Sequence, residues 1–525
     1  MTLLRNSIFR CYSSSPKHRS PLKENDVLIF QQNLIKYQGK QGSIRDSVKD
    51  KPTLRRVITV PKTSQEFTEL IFTHLMPKDY KTTTLSTYES YAKATMISST
   101  FGTAASVIST QALLASVGVS SGAALPIAAT LNWILKDGMG QLGGVLFASS
   151  VNTRFDSDPK RFRLGADFAL GISVILESCT VIAPWLFLPV ASIANIGKNI
   201  AWLSASATRA SIHQSFCLEH NLADVTGKAG SQTIAASVIG TSLGIALTPI
   251  LMNDPVYIIF STIVLSFAHL AFSFRALHCV QLKTLNIQRA WLSLVPALAA
   301  LRRINIFDVH SSLCSLDWEK LRSPADVAKK ERLIHFGKWG GRDGKANLVS
   351  PKALIAASND DGFISFFRNS FTSPVRMNST LSINPSIEKI GSIEELKASL
   401  SMCFEFDDQH IMNVIPSKND LGSYSIQVWY LKEATPADVL AGFLHAAIVA
   451  RALSRLGNTV SPDSKFSKLI YDVRSSMQVE NACAKFLYGV EDKGWDVKHV
   501  FIEESKANRL HLENIYNQAT TSTKQ

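Results

Sequence analysis

Charged side chains make up only 18% of the 525 residues, against roughly 25% in an average soluble chain. The shortfall is local: it falls between residues 94 and 274. The seven cysteines, Cys11, Cys179, Cys217, Cys279, Cys314, Cys403 and Cys483, contain no close pair, so they read as buried or free thiols and as neither a disulfide frame nor a metal site. His213, His220, His269 and His278 show no metal-ligand spacing, and a catalytic triad around His213 with Ser215 or Cys217 lacks a placeable acid and oxyanion site. Zinc-finger spacing, an RNA-binding signature and a dense basic helix are all missing, so the net charge of +13 does not point to nucleic acid.

Part of that positive charge is N-terminal. Arg5, Arg10, Lys17, Arg19 and Lys23 precede the first acid, Glu24, among serines and small apolar residues. Residues 1–23 therefore have the composition of a transit peptide, and Phe9-Arg10-Cys11-Tyr12-Ser13-Ser14-Ser15 resembles the end of a mitochondrial presequence. A mitochondrion is the expected location, with another organelle membrane as the alternative. Residues 24–70, broken by Pro52 and Pro61, read as a linker or short structured arm with a strand or short helix near Leu54 to Val60.

Residues 71–290 read as a multi-helix domain. Ala94 to Leu135 holds no Asp, Glu, Lys or Arg; Phe168 to Gly197 holds only Glu177; Ala229 to Asn253 and Pro255 to Phe274 hold none. Each run is long enough to span a bilayer. Two architectures satisfy this: a membrane-embedded bundle, or a soluble bundle whose central helices are covered on every side. The glycine pairs Gly118/Gly122, Gly140/Gly144 and Gly240/Gly244 allow close helix approach in both. Gly138-Met-Gly-Gln-Leu-Gly143 fits a dinucleotide fingerprint, but it follows a helix-like run where the fingerprint needs a strand, so packing is the better reading.

Residues 300–508 regain mixed charge and read as a small α+β domain, with a frayed tail at 509–525. Strands are expected at Cys403 to Phe406, Ile411 to Ile415, Ser425 to Leu431 and Trp495 to Ile502. Helices are expected at Val439 to Leu453, capped by Thr435-Pro436-Ala437-Asp438, and at Lys465 to Tyr488. Together they predict an antiparallel sheet packed by two helices.

Ordered motifs run from about residue 75 to 285. They are Leu75-Met-Pro-Lys-Asp-Tyr80 with Tyr88-Glu-Ser-Tyr91, Gln111-Ala-Leu-Leu-Ala-Ser-Val-Gly-Val119, and Ala128-Ala-Thr-Leu-Asn-Trp-Ile-Leu-Lys-Asp-Gly138 with Gly140. Phe155-Asp156, Asp158, Lys160-Arg161-Phe162-Arg163 and Asp167 follow, then Asn221-Leu-Ala-Asp-Val-Thr-Gly-Lys228 with Ser231-Gln232. This series resembles the root UVB sensitive (RUS) family, with Met76 and Glu89 as departures in the first motif. The resemblance implies a link to ultraviolet-B response, vitamin B6 homeostasis and auxin transport, and brings no catalytic activity with it.

Two sets of residues are candidate binding sites. Lys136 and Asp137 are the only charges between Ala94 and Thr153, and neighbouring helical residues diverge by about 100°, so their partners are sought elsewhere. Either the pair sits at a helix end in water, or Lys136, Asp137, Arg209, Asp224 and Lys228 share a buried polar site, with Glu177 a further partner. Lys160, Arg161 and Arg163 are read as an interhelical loop, solvated or binding phosphate or anionic lipid. The expected function is a non-enzymatic organellar membrane protein, acting as scaffold, carrier or regulator beside membrane lipid and a protein partner or family paralogue. The alternatives are a small-anion transporter using Lys136, Asp137 and Arg209, and a soluble pyridoxal-phosphate-handling protein, for which Lys136 and Lys228 are the lysines in apolar context. No cofactor is otherwise expected, and no nucleic acid.

Overall fold

The computed structural model describes residues 74–117, 127–151, 154–251, 254–299, 309–331, 333, 345–349, 376–385, 393–416, 424–456, 465–503 and 509–510. The expected transit peptide, the arm with its element near Leu54 to Val60, and Gly118/Gly122 lie outside the described residues.

Six long helices follow one another: α1 Tyr88–Ser116, α2 Ile127–Val151, α3 Pro159–Cys179, α4 Phe187–Phe216, α5 Leu222–Leu251 and α6 Pro255–His278. Their starts are written locally. Pro159 and Pro255 take first-turn positions where a missing N–H costs nothing, and the Asp254 carboxylate accepts the Val256 amide. α1 packs on α3, α5 and α6; α4 packs on α3 and carries α2 on its other side. Small residues set these contacts. A Cβ on Gly143 would come within 2.6 Å of Ile196 in α4, and one on Gly244 within 2.8 Å of Val107 in α1, so the Gly138–Gly143 stretch is a helix-packing surface inside α2.

The outward faces of these helices stay apolar. Leu142 and Val145 on α2, Val238 and Ile245 on α5, and Phe260 and Phe267 on α6 are all exposed. Pro184–Phe216, Leu222–Leu251 and Pro255–His278 are long and apolar enough to cross a membrane, yet only 28%, 17% and 28% of their most apolar windows are buried. Pro436–Leu453 is apolar too, but 72% of it is buried, which marks it as a core helix.

That helix belongs to a second, larger core. The core opens with β1 Thr284–Asn286 and α7 Ile287–Ala299 and continues through α8 Val309–Cys314, α9 Pro324–Lys330, β2 Lys345–Val349 and β3 Arg376–Ile383. It closes with α10 Ile393–Glu405, β4 His410–Pro416, β5 Tyr424–Tyr430, α11 Pro436–Leu456, α12 Lys465–Val479, α13 Ala482–Asp492 and β6 Asp496–Phe501. α7 spans the composition change near residue 290 and packs wholly into this core, with Trp291, Leu294 and Leu298 buried. The α11 cap forms as read: Thr435 donates to the Asp438 carboxylate at 2.7 Å and accepts the Asp438 amide at 3.3 Å.

Four expectations are corrected. Cys403 to Phe406 ends α10 and continues into a turn, because Leu400 and Cys403 follow helical spacing onto Trp429. The helix over Lys465 to Tyr488 is two helices, broken where Asn481 takes a left-handed φ of 51°. The sheet is mixed, in the order β2-β3-β5-β4 with β3 and β5 parallel, while β6 leaves it to pair in parallel with β1. Arg509 and Leu510 are anchored: Arg509 pairs with Glu503 at 2.7 Å, and Leu510 is buried against Trp429.

α11 approaches the sheet closely enough that a Cβ on Gly442 would lie 2.8 Å from Tyr430 and 3.1 Å from His410. Beneath it His410 Nε2 meets His445 Nδ1 at 3.1 Å, and His445 Nε2 donates to the Ile470 carbonyl at 3.1 Å. With both rings neutral, that second bond leaves His445 Nδ1 to accept from His410 Nε2. Burial holds His410 down at about 3, and burial followed by the neighbouring His410 holds His445 at about 3. The unfolded chain therefore binds protons that the folded chain refuses, and stability present above the ordinary histidine value is lost as pH falls below it. We predict that hydrogen exchange in α11, corrected for intrinsic rate, speeds up between about pH 7 and about pH 5 by up to ~1.4 kcal/mol per histidine per pH unit. His410→Leu combined with His445→Leu flattens that slope; an unchanged slope contradicts the assignment.

Candidate functional site

Within the described helices several charges are drawn inward and paired. The first turn of α3 puts Lys160 and Arg161 where the helix dipole disfavours cations, so acidic partners must compensate. Lys160 donates to Glu331 Oε2 at 2.7 Å and Arg289 donates to Glu331 Oε1 at 3.1 Å, with the three side chains 0%, 1% and 2% exposed. Arg289 also donates to the Thr284 carbonyl at 2.6 Å and the Ser157 carbonyl at 3.0 Å. One guanidinium thus joins β1, the turn leading into α3 and the end of α9. Burial alone would raise the Glu331 carboxyl, but the charges and hydrogen bonds of Lys160 and Arg289 override it and hold it at about 2.

The expected anion loop is therefore part of a helix. Arg161 pairs with Asp158 at 3.2 Å and donates to Gln288 at 2.9 Å; Arg163 lies 3.7 Å from Asp167. Lys160, Arg161 and Arg163 are each engaged by acceptors of the chain itself.

Further into the bundle, Asp167 of α3 accepts from Ser273 of α6 and lies 3.7 Å from His269 Nε2. His269 and Ser98 bond reciprocally, the ring Nδ1 lying 2.9 Å from the Ser98 carbonyl while the Ser98 hydroxyl donates to the His269 carbonyl at 2.8 Å. Gly102 makes room for the ring, since a Cβ there would lie 2.9 Å from Nδ1. Near the other end of α3, Glu177 is held by Lys198 of α4 and by Ser109 of α1 at 2.9 Å.

Lys136 and Asp137 pair with each other at 2.7 Å, contrary to the expectation from backbone directions. The lysine stem is long enough to close the 100° gap, and its ammonium also sits 4.7 Å over the Trp133 ring. Asn195 of α4 donates to both the Lys136 carbonyl and Asp137 Oδ1 at 3.1 Å. The other residues of the expected site sit elsewhere: Asp224 accepts the Lys78 amide at 2.8 Å, Arg209 is exposed on α4, and Lys228 is half-buried on α5. Sequence reasoning missed Lys198, His269, Arg289 and Glu331. Arg289, alone in the apolar stretch after Lys283, carried a signal; Glu331, among Lys330 and Arg332, carried none.

The profile of the Vitamin B6 photo-protection and homoeostasis domain matches residues 61–298. The chain is 25% identical to protein root UVB sensitive 3 of Arabidopsis thaliana over 374 residues, covering 70% of this chain and 73% of that one. Over residues 61–298 the chain carries the domain of the root UVB sensitive family. It is also 31% identical to RUS family member 1 of Dictyostelium discoideum over 263 residues, and 33% identical to protein root UVB sensitive 2, chloroplastic, of Arabidopsis thaliana over 226 residues. These alignments cover 49% and 43% of this chain and 46% and 51% of the relatives, so this chain spans about half the length of those two. No solved structure matches. The RUS match contains every member of the paired clusters except Glu331, which lies beyond residue 298.

Removing that carboxylate tests the junction. Glu331→Gln leaves Lys160 and Arg289 buried without a counter-charge, and we predict a loss of about 3–5 kcal/mol, read as a lower thermal midpoint of the purified chain. Because its carboxyl is depressed, the contribution of Glu331 is present above about pH 4.5 and is lost only as pH falls towards 2. A midpoint unchanged from pH 7 to 5 in Glu331→Gln relative to the parent would remove the cluster from the account.

Proposed function

We propose that this RUS family member is a non-enzymatic organellar membrane protein of vitamin B6 homeostasis, in which α1 to α6 lie in the bilayer and the second core lies in water. The observation that carries this reading is the inside-out sorting of side chains. Glu177 meets Lys198 and Asp167 meets His269 within the bundle, while the outer faces of α2, α5 and α6 present uncovered leucine, isoleucine, valine and phenylalanine. At about 1.5 Å per residue a helix of this length exceeds the roughly 30 Å hydrocarbon thickness. A water-soluble bundle has no use for so much uncovered apolar surface.

The description of the matched domain supports the vitamin B6 connection, and the basic, acid-free start of the sequence supports a mitochondrial address. The protein serves as scaffold, carrier or regulator, with lipid around the bundle and a protein partner, such as a family paralogue, on the second core. The anion-transport reading draws less support: Lys136 is already neutralised by Asp137, and Arg209 is exposed on α4.

Carbonate extraction of organelles tests this reading; the full chain should stay with the pellet. Val238→Asp and Ile245→Asp, both on the uncovered face of α5, should each lower membrane retention, because an acid at the centre of a spanning helix costs about 2.5–3.5 kcal/mol. Release of the parent chain into the supernatant, or fractionation untouched by both substitutions, rejects it.

A further inference from the structure

The second core carries a cluster that neither the proposed function nor the family match uses. α8 has six residues, too few to hold a helix in water unaided. Leu313 pins it inward to the core, while His310 and Cys314, four residues apart and so on one face, point outward. α8 packs on α12, and directly after α12 comes Glu480. Glu480 Oε1 lies 3.0 Å from Cys314 Sγ and 3.7 Å from His310 Nε2, and the three ligand atoms lie within 4.8 Å of one another.

We propose that His310, Cys314 and Glu480 form a binding site for a zinc-class divalent cation that staples α8 to the end of α12. A tetrahedral zinc with one sulfur at about 2.3 Å and nitrogen and oxygen at about 2.0–2.1 Å sets its ligands roughly 3.3–3.6 Å apart. The observed separations from Glu480, 3.0 and 3.7 Å, bracket that range, and the His310 and Cys314 ligand atoms lie within 4.8 Å of each other. A thiolate, an imidazole and a carboxylate together favour zinc over the oxygen-seeking magnesium and calcium. Three protein ligands leave the fourth position to water. Lys485, 3.4 Å from Glu480 Oε2, holds the second carboxylate oxygen and leaves Oε1 for the metal.

Without metal the thiol proton is held by Glu480: the hydrogen bond to that carboxylate raises Cys314, and the same bond lowers Glu480. Binding converts the thiol to a metal-bound thiolate and releases that proton to solvent, while the Glu480 oxygen passes from hydrogen-bond acceptor to ligand. The charged and titratable groups facing the thiol are Glu480, His310 and, through Glu480, Lys485.

The test uses the full chain in detergent, reduced with a phosphine and carrying a purification tag without histidine, titrated with cobalt and then zinc. The parent should take up one tight equivalent of cobalt with thiolate-to-cobalt charge-transfer absorption and tetrahedral bands, and zinc should displace it. Zinc should also slow maleimide labelling of Cys314 and amide exchange in α8. Cys314→Ser should abolish the charge-transfer band, and His310→Ala and Glu480→Gln should each weaken binding by more than ~100-fold, the upper end seen for loss of an outer-shell partner. All three side chains are at the surface or half-buried, so these variants keep the fold. Absence of a tight equivalent in the parent, or an equivalent that survives unchanged in Cys314→Ser, overturns the proposal. Neither outcome bears on whether α1 to α6 lie in a membrane.

Discussion

The joint between the two halves rests on one carboxylate. Glu331 lies between Lys160 and Arg289 with almost no exposure, and Arg289 reaches on to the backbone of Thr284 and Ser157. A buried ion pair is weak support for stability in itself, because removing both charges from water costs nearly what their attraction returns. Its consequence is specificity. Two cations from separate elements have one acceptor between them, so α3, α7 and α9 can meet in only one arrangement that leaves no charge unpaired. The remaining fold hangs from that joint: α3 carries Asp167 and Glu177 into the bundle, and α7 begins the second core.

The two halves obey different solvation rules. In the second core apolar residues converge and are covered; α11, as apolar as a spanning helix, is largely buried. In the bundle the cores are small and rich in alanine, and helices touch through Gly143, Gly244 and their neighbours while larger apolar side chains face outward. Close backbone approach, interhelical polar bonds and outward apolar faces are how helices associate where the surrounding solvent is hydrocarbon. On the membrane reading proposed above, the pairs Asp167–His269 and Glu177–Lys198 are what allow α3, α4 and α6 to carry these polar groups.

Much of this was legible in the sequence because it rests on periodicity and local chemistry. The charge-free runs Ala229 to Asn253 and Pro255 to Phe274 marked α5 and α6, whereas Phe168 to Gly197 straddles α3 and α4, which break between Cys179 and Phe187; the Thr435–Asp438 cap marked α11, and a run rich in β-formers marked β5. Ordered motifs such as Asn221 to Lys228 marked the family. What escaped depends on contacts between distant residues. Lys160 and Glu331 are 171 positions apart, so nothing near either announces the other. Lys136 and Asp137 were misread because backbone direction was weighed and side-chain reach was not. Cys403 read as a strand from its neighbours, whereas Leu400 and Cys403 are turned by helical spacing onto the sheet at Trp429. The cysteines read as no metal site because none is paired with another in sequence; His310 and Cys314 stand one helical turn apart, and Glu480 is brought beside them only by packing of α8 on α12.

The central claim is that the apolar outer faces of the bundle meet lipid. Spin labels placed singly at Leu142, Val238 and Phe260, in a chain reconstituted into vesicles with its native cysteines replaced, report this directly through collisions with oxygen and with a water-soluble nickel chelate. All three positions are exposed, on α2, α5 and α6 respectively. The account predicts high oxygen and low nickel accessibility at all three; high nickel accessibility there would contradict it.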